Sequence, residues 1–198
     1  MEFKHDQTWD NFEQVFNSHP TTKDGWNKLI DFHQKIKDKP YWTALRNLDF
    51  ETEQLEIKNW LEELVQTEPF DKNIIAFWVG ITKFVDDQDK ESYTIYLVGC
   101  DNYDENDIEW ATEPTYMPEE RYFTFETLNK IDEIIKADSD DYSFLDWILP
   151  LSYCALTLDN IIRNNLDSKL FLKHHDKIFV STGHDSGDYK NVSAIGQK

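Results

Sequence analysis

Ile74-Ile-Ala-Phe-Trp-Val-Gly-Ile-Thr-Lys-Phe-Val85 is the stretch whose reading decides the fold. It is β-branched and aromatic, with no helical period, and predicts a strand. A polar link over residues 86–92 follows, and then a second run of the same kind, Tyr93-Thr-Ile-Tyr-Leu-Val-Gly-Cys100. Two such runs joined by a short polar link predict an antiparallel hairpin. Their near-continuous hydrophobicity places both inside a sheet that helices cover on at least one face. Gly80 and Gly99, within and near the end of the runs, mark bulges or close backbone approach.

The chain before the hairpin reads as helices. Trp9, Phe12 and Phe16 share a face over residues 8–17, and Trp26, Leu29, Ile30, His33 and Ile36 share one over 23–37. The imidazole of His33 is expected at the boundary of the core, not on a metal. Pro40 ends the second helix, Tyr41–Leu45 adds an apolar turn, and a third helix over 51–66 carries Leu55, Trp60, Leu61, Leu64 and Val65 before Pro69. After the hairpin, residues 121–125 are extended and a helix covers about 125–137. Ser143 stands as an N-cap with Asp146 in the capping-box position, opening a helix to about Leu166. That helix is apolar on several sides, hence central and buried, and Pro150 is expected to kink or split it. Lys177–Thr182 is a strand, 183–188 a turn whose glycines supply positive φ, and 191–195 a strand or tail. The expected class is α+β: an antiparallel sheet of three to four strands packed on helices. It forms a single domain, with a helical lobe at 1–70 and an α+β core at 71–198.

The 198 residues carry a net charge of −19. Residues 86–146 hold 19 acids against four bases, so −15 of that charge lies in one region. Such a field disfavours nucleic acid and anionic membranes, whose binding needs Lys and Arg, and favours a basic protein partner. No apolar run reaches the ~18 residues of a membrane span. The first residues lack the basic start and apolar centre of a signal peptide. Cys100 and Cys154 form no CxxC pair. A cytoplasmic protein with reduced thiols is the expectation.

The acidity centres on Gly99–Arg121. Eight carboxylates lie between Asp101 and Glu120, with no Lys or Arg among them. Like charges so close repel one another, a cost that a partner offsets or water screens. An EF-hand loop begun at Asp101 fails at its third, sixth and twelfth positions, held by Tyr103, Asn106 and Thr112. Carboxylate pairs such as Glu109 with Glu113 are too common in a chain of 39 acids to single out a general acid and base. Gly183–Asp188 lacks the spacing of phosphate loops and of the hydrolase elbow. His174, His175 and His184 have no nearby Cys, and Cys154 lies in an apolar helix where cysteine packs. Neither metal nor cofactor is expected, and no catalytic residue. The candidate partner-binding residues are Asp101, Tyr103, Asp104, Glu105, Asp107, Glu109, Trp110 and Tyr116. In this set the carboxylates pair with Lys or Arg and the aromatics serve as anchors.

From the hairpin through Glu109-Trp110, Tyr122–Phe125 and Ala155–Asn160 to Lys177–Asp188, the order of motifs resembles small acidic bacterial domains of unknown function found as immunity proteins in toxin systems. The resemblance covers about residues 74–195. It implies a protein that binds a basic bacterial toxin domain and neutralises it, and it carries no catalytic signature. The other classes open to this sequence are a scaffold or regulatory protein, and a hydrolase or metal-dependent enzyme.

Overall fold

The computed structural model describes residues 2–197 apart from 86, 88, 90, 138, 139 and 186. The expected turn at 86–92, the charged loop at 137–142 and Ser186 of the turn after Thr182 fall wholly or partly outside those residues.

Four helices open the chain: α1 (His5–Phe16), α2 (Thr22–Ile36), α3 (Tyr41–Arg46) and α4 (Glu51–Thr67). In α4 the buried stripe runs Glu53, Ile57, Leu61, Leu64 and Val65, at helical spacing. Leu55 does not belong to it. It stands two residues before Ile57, about 200° away around the helix, and faces solvent. The hairpin follows as β1 (Ala76–Val85) and β2 (Glu91–Cys100), paired over their full length with Gly80 opposite Tyr96. An irregular excursion holding one 3-10 turn, Ile108–Thr112, leads to β3 (Tyr122–Thr124). Next come α5 (Glu126–Lys136), α6 (Tyr142–Asn164), α7 (Ser168–Phe171), β4 (Lys177–His184), β5 (Tyr189–Asn191) and β6 (Ile195–Gly196).

The class is α+β, but the sheet is larger than expected and mixed, not antiparallel. Its order is β3-β2-β1-β4-β5, with β6 also on β4. β3 is antiparallel to β2 and so runs parallel to β1, and α5 and α6 then carry the chain back to the same end. β4 therefore enters parallel to β1, with Gly80 opposite Gly183. A helical crossover is what parallel pairing requires.

The odd-numbered side chains of β1 (Phe77, Val79, Ile81) enter one large core with α1, α2, α4, α5 and α6. The even-numbered Ala76 and Trp78 point to the other face, where a small second core forms with Val98, Cys100 and Trp110. One face of the sheet is thus covered by helices except at the far end of β1, where Val85 is exposed, and the other only in part, by the acidic excursion.

α6 is central and buried as its composition predicts, and it stays one helix through Pro150. Its start differs from expectation. It opens at Tyr142, and Asp141 as N-cap makes no side-chain capping bond. The Asp141 carboxylate instead accepts from Lys37 Nζ (2.5 Å) and Tyr41 OH (3.3 Å). Asp146 is no capping-box partner, because Lys83 and Tyr93 claim its carboxylate. Gly80 and Gly99 sit in an unbroken ladder, not at bulges. Close approach is the reason for Gly80, since a Cβ there would meet the Tyr96 ring at 2.3 Å.

His33 does not lie at the boundary of the core as expected: the start of the chain folds over it, and it is fully buried between Phe3, Phe32 and Trp42. Its Nδ1 lies 2.7 Å from the Leu29 carbonyl, while Nε2 is buried with no partner. Burial lowers its pKa to about 4, against a backbone bond that raises it. Above pH 6.5 the ring is neutral in both folded and unfolded chains. Between pH 6.5 and 4 only the unfolded chain takes the proton, so stability is lost as the pH falls through that window. The loss across that window should total about 3 kcal/mol. Denaturant midpoints between pH 7 and 4 should show a shallower acid slope for His33→Leu than for the natural chain.

No helix among the described residues is long and apolar enough to cross a membrane.

Candidate functional site

The acidic excursion leaves β2 at Cys100 and lies over the partly covered sheet face. Its return is pinned at Gly99, whose N–H donates to Tyr116 O (2.9 Å) and whose carbonyl accepts from Tyr116 N (3.0 Å) and Thr115 N (2.9 Å). Within it, Asp104 Oδ1 accepts from Asn106 N (2.9 Å), and Asp107 Oδ1 caps the 3-10 turn by accepting from Glu109 N (3.0 Å). Short acids of this kind close tight turns with their own side chains. Asn191 of β5 donates to Glu105 O (2.9 Å) and ties the outer loop to the sheet edge. Glu68, at the end of α4, accepts from the backbone N–H of Glu119 (2.7 Å) and Glu120 (3.1 Å).

Aromatic side chains hold the excursion down. Trp110 is 6% exposed in the small core beneath it. Tyr103 stacks flat on Phe179 of β4, 4.1 Å between ring centres. The Tyr116 ring packs between Phe70 and Phe77, and its OH donates to Glu68 O (2.6 Å). Trp110 and Tyr116 therefore serve the fold, and Tyr103 is half-buried. All eight carboxylates from Asp101 to Glu120 face solvent. The ion pairs among the described residues lie elsewhere. The structure gathers Tyr103, Asp104, Asp107, Glu109 and Trp110 around one shallow basin of about 300 Å³. Asp101 and Glu105 are exposed on the same excursion, and Tyr116 is turned inward away from it.

Beside the excursion lies a larger groove, about 600 Å³, that the residue pattern alone does not reveal. Its floor is the outward face of β1 and β2 with Trp78, Phe84 and Tyr96. Met117 and Tyr122 line the excursion side, and Asp185, after β4, lines the other. Trp78 Nε1 donates to Tyr96 OH (3.3 Å), which in turn donates to Asp185 Oδ1 (2.5 Å). Burial and the Asp185 carboxylate raise the Tyr96 pKa, so the phenol stays a donor. The even-residue alternation of β1 was the available signal. Asp185 is 89 residues from Tyr96, beyond any local pattern.

The remaining titratable clusters are structural. Lys83 Nζ is 3.1 Å from Asp132 and 2.9 Å from both Asp146 and Tyr142 OH. Burial works against its charge, but these partners outweigh it and raise its pKa, holding it protonated and non-nucleophilic. Cys100 and Cys154 are buried free thiols. Burial pushes Cys100 up to about 11 and Cys154 well up, which suits packing and not attack. His184 is held through Nε2 by the Trp147 carbonyl (2.9 Å). No described glycine has positive φ. Gly183 is needed for space, because a Cβ there would meet Tyr189 at 2.6 Å. Among the described residues, no three His, Cys, Asp or Glu side chains gather as a metal would require.

Comparison with known proteins finds no matching family model, no matching curated protein and no matching solved structure.

Proposed function

We propose that this chain is a binding protein that takes a basic protein partner on its acidic excursion, in the manner of an immunity protein covering a toxin domain. One observation carries this. Eight carboxylates with no base among them are all turned to solvent, on a segment that aromatic packing and backbone bonds fix in place. Charges of one sign on a fixed backbone steer and orient a partner of the other, and little backbone freedom is lost when it docks. A basic substrate cleft on a toxin enzyme is the complementary surface.

Asp104 and Asp107 cap turns, so charge reversal there would also disturb the loop. Glu105 and Glu109 are exposed and serve better. Capture from a lysate of the native host should return a protein of basic pI. Co-production with this chain should relieve any growth defect that protein causes. Glu105→Lys with Glu109→Lys should weaken capture at least about tenfold with an unchanged fold. A neutral or acidic captured partner, held equally by the reversed variant, contradicts the proposal.

A further inference from the structure

The groove over β1 and β2 gathers most of the large apolar side chains left exposed among the described residues. Five large apolar side chains stand out as exposed among the described residues, and three of them, Phe84, Met117 and Tyr122, line it. Phe84 and Tyr122 pack edge to face at 5.3 Å, and Tyr96 lies 5.9 Å from Tyr122, so the patch is continuous. A contiguous apolar patch with a polar rim marks an interaction site. Gly80 keeps it open: without a Cβ, the Tyr96 ring lies flat over β1 instead of standing up into the groove.

Its walls say what kind of occupant fits. One wall is the acidic excursion itself, where exposed Glu113 stands between the lining residues Thr112 and Pro114. The opposite wall presents Asp185, which has accepted one bond from Tyr96 and retains acceptor capacity. Arg121, the guanidinium in the lining, is committed to the fold: it stacks on Tyr122 at 4.6 Å and donates to Pro118 O (2.9 Å). An apolar floor with one lining carboxylate, Asp185, and with exposed Glu113 beside the opposite wall complements a segment that is apolar at its centre and carries a basic residue on either side.

We infer that this groove receives an extended segment of the basic partner, one that presents a bulky apolar side chain between Lys or Arg residues. The inference rests on the proposed function and adds the anchor that charge alone lacks. A volume of about 600 Å³ is ample for an aromatic side chain and its neighbours. Buried apolar anchors supply the affinity of interfaces, while rim charges supply rate and orientation.

The test uses the full chain, labelled with ¹⁵N, and the heptapeptide Gly-Lys-Lys-Phe-Lys-Lys-Gly with blocked ends. The Trp78 indole N–H, bonded to Tyr96 at the floor, is the reporter. Its signal should shift saturably with this peptide. The shift should weaken at least about fivefold when Phe is replaced by Gly, and vanish when the four Lys are replaced by Glu. No saturable shift at Trp78, or equal binding of the Gly peptide, overturns the inference. Phe84→Ser with Met117→Ser removes two exposed apolar groups and no charge. It should lower affinity for the captured partner about tenfold and leave the salt dependence unchanged. If this variant binds normally while Glu105→Lys with Glu109→Lys does not, the groove inference fails and the acidic-face function stands. If both variants bind normally, the function itself fails and the inference with it.

Discussion

Replacing Lys83 by methionine should lower the unfolding free energy by about 2–3 kcal/mol, between the cost of losing a surface pair and that of breaking a buried one, because the ammonium and Asp146 are only part-buried. The ammonium joins the far end of β1 to two helices at once. It touches Asp132 of α5, Asp146 and Tyr142 of α6, and lies over the Tyr93 ring of β2 at 4.4 Å. Methionine keeps much of the stem but removes the charge. Asp132 would retain Lys136 (2.7 Å) and Tyr142 OH (2.8 Å), whereas Asp146 would be left with Tyr93 OH (2.6 Å). Asp146 is therefore the group that pays most, and adding Asp146→Asn to Lys83→Met should recover part of the loss through coupling of the two sites. Urea midpoints at constant m-value would measure both effects. A loss below about 1 kcal/mol for the single variant would reduce the cluster to an ordinary surface pair.

Glu53→Ala should cost about as much, for a different reason. Glu53 is 6% exposed on α4, and its two carboxylate oxygens accept from Thr127 N (2.9 Å) and Tyr153 OH (2.7 Å). Thr127 lies in the first turn of α5, whose N-cap Phe125 has no side-chain acceptor to offer. Glu53 thus caps α5 from another helix, with its negative charge at the positive end of that helix. It also satisfies the phenol at the centre of α6, whose pKa is raised first by burial and then by Glu53. Alanine would strand two buried donors and leave a cavity, a loss of about 3 kcal/mol. Glu53→Gln keeps an acceptor for one of them and should lose only about 1 kcal/mol. Thermal unfolding would separate the two variants by several degrees, and equal losses would contradict the capping role.

The sequence showed much of this framework and little of its connections. Helical periods placed α1, α2, α4 and α5 within a few residues, and β-branched runs placed β1, β2 and β4. These signals are local, written in spacings of two or of three and four residues. The parallel pairing of β1 with β4 was not legible, because it depends on where two helices deliver the chain about a hundred residues later. For the same reason Asp146 read as a capping residue when Lys83, 63 residues away, was its partner. Leu55 and Ile57 show a finer limit: both are apolar, and only the packing of the whole helix decides which turns inward. The acidic excursion was visible as composition. Its division into outward carboxylates and inward Trp110 and Tyr116 depended on the sheet beneath it. The groove was hidden because it joins strand faces to Asp185, and neither half is unusual alone.

The most direct test of the acidic face is the salt dependence of affinity for the captured partner, measured side by side for the natural chain and for Glu105→Lys with Glu109→Lys. The natural chain should bind progressively more weakly as salt rises from about 0.05 to about 0.5 M, and the reversed chain should start at least about tenfold weaker with a flatter slope. Equal affinities and equal slopes for the two chains would contradict it.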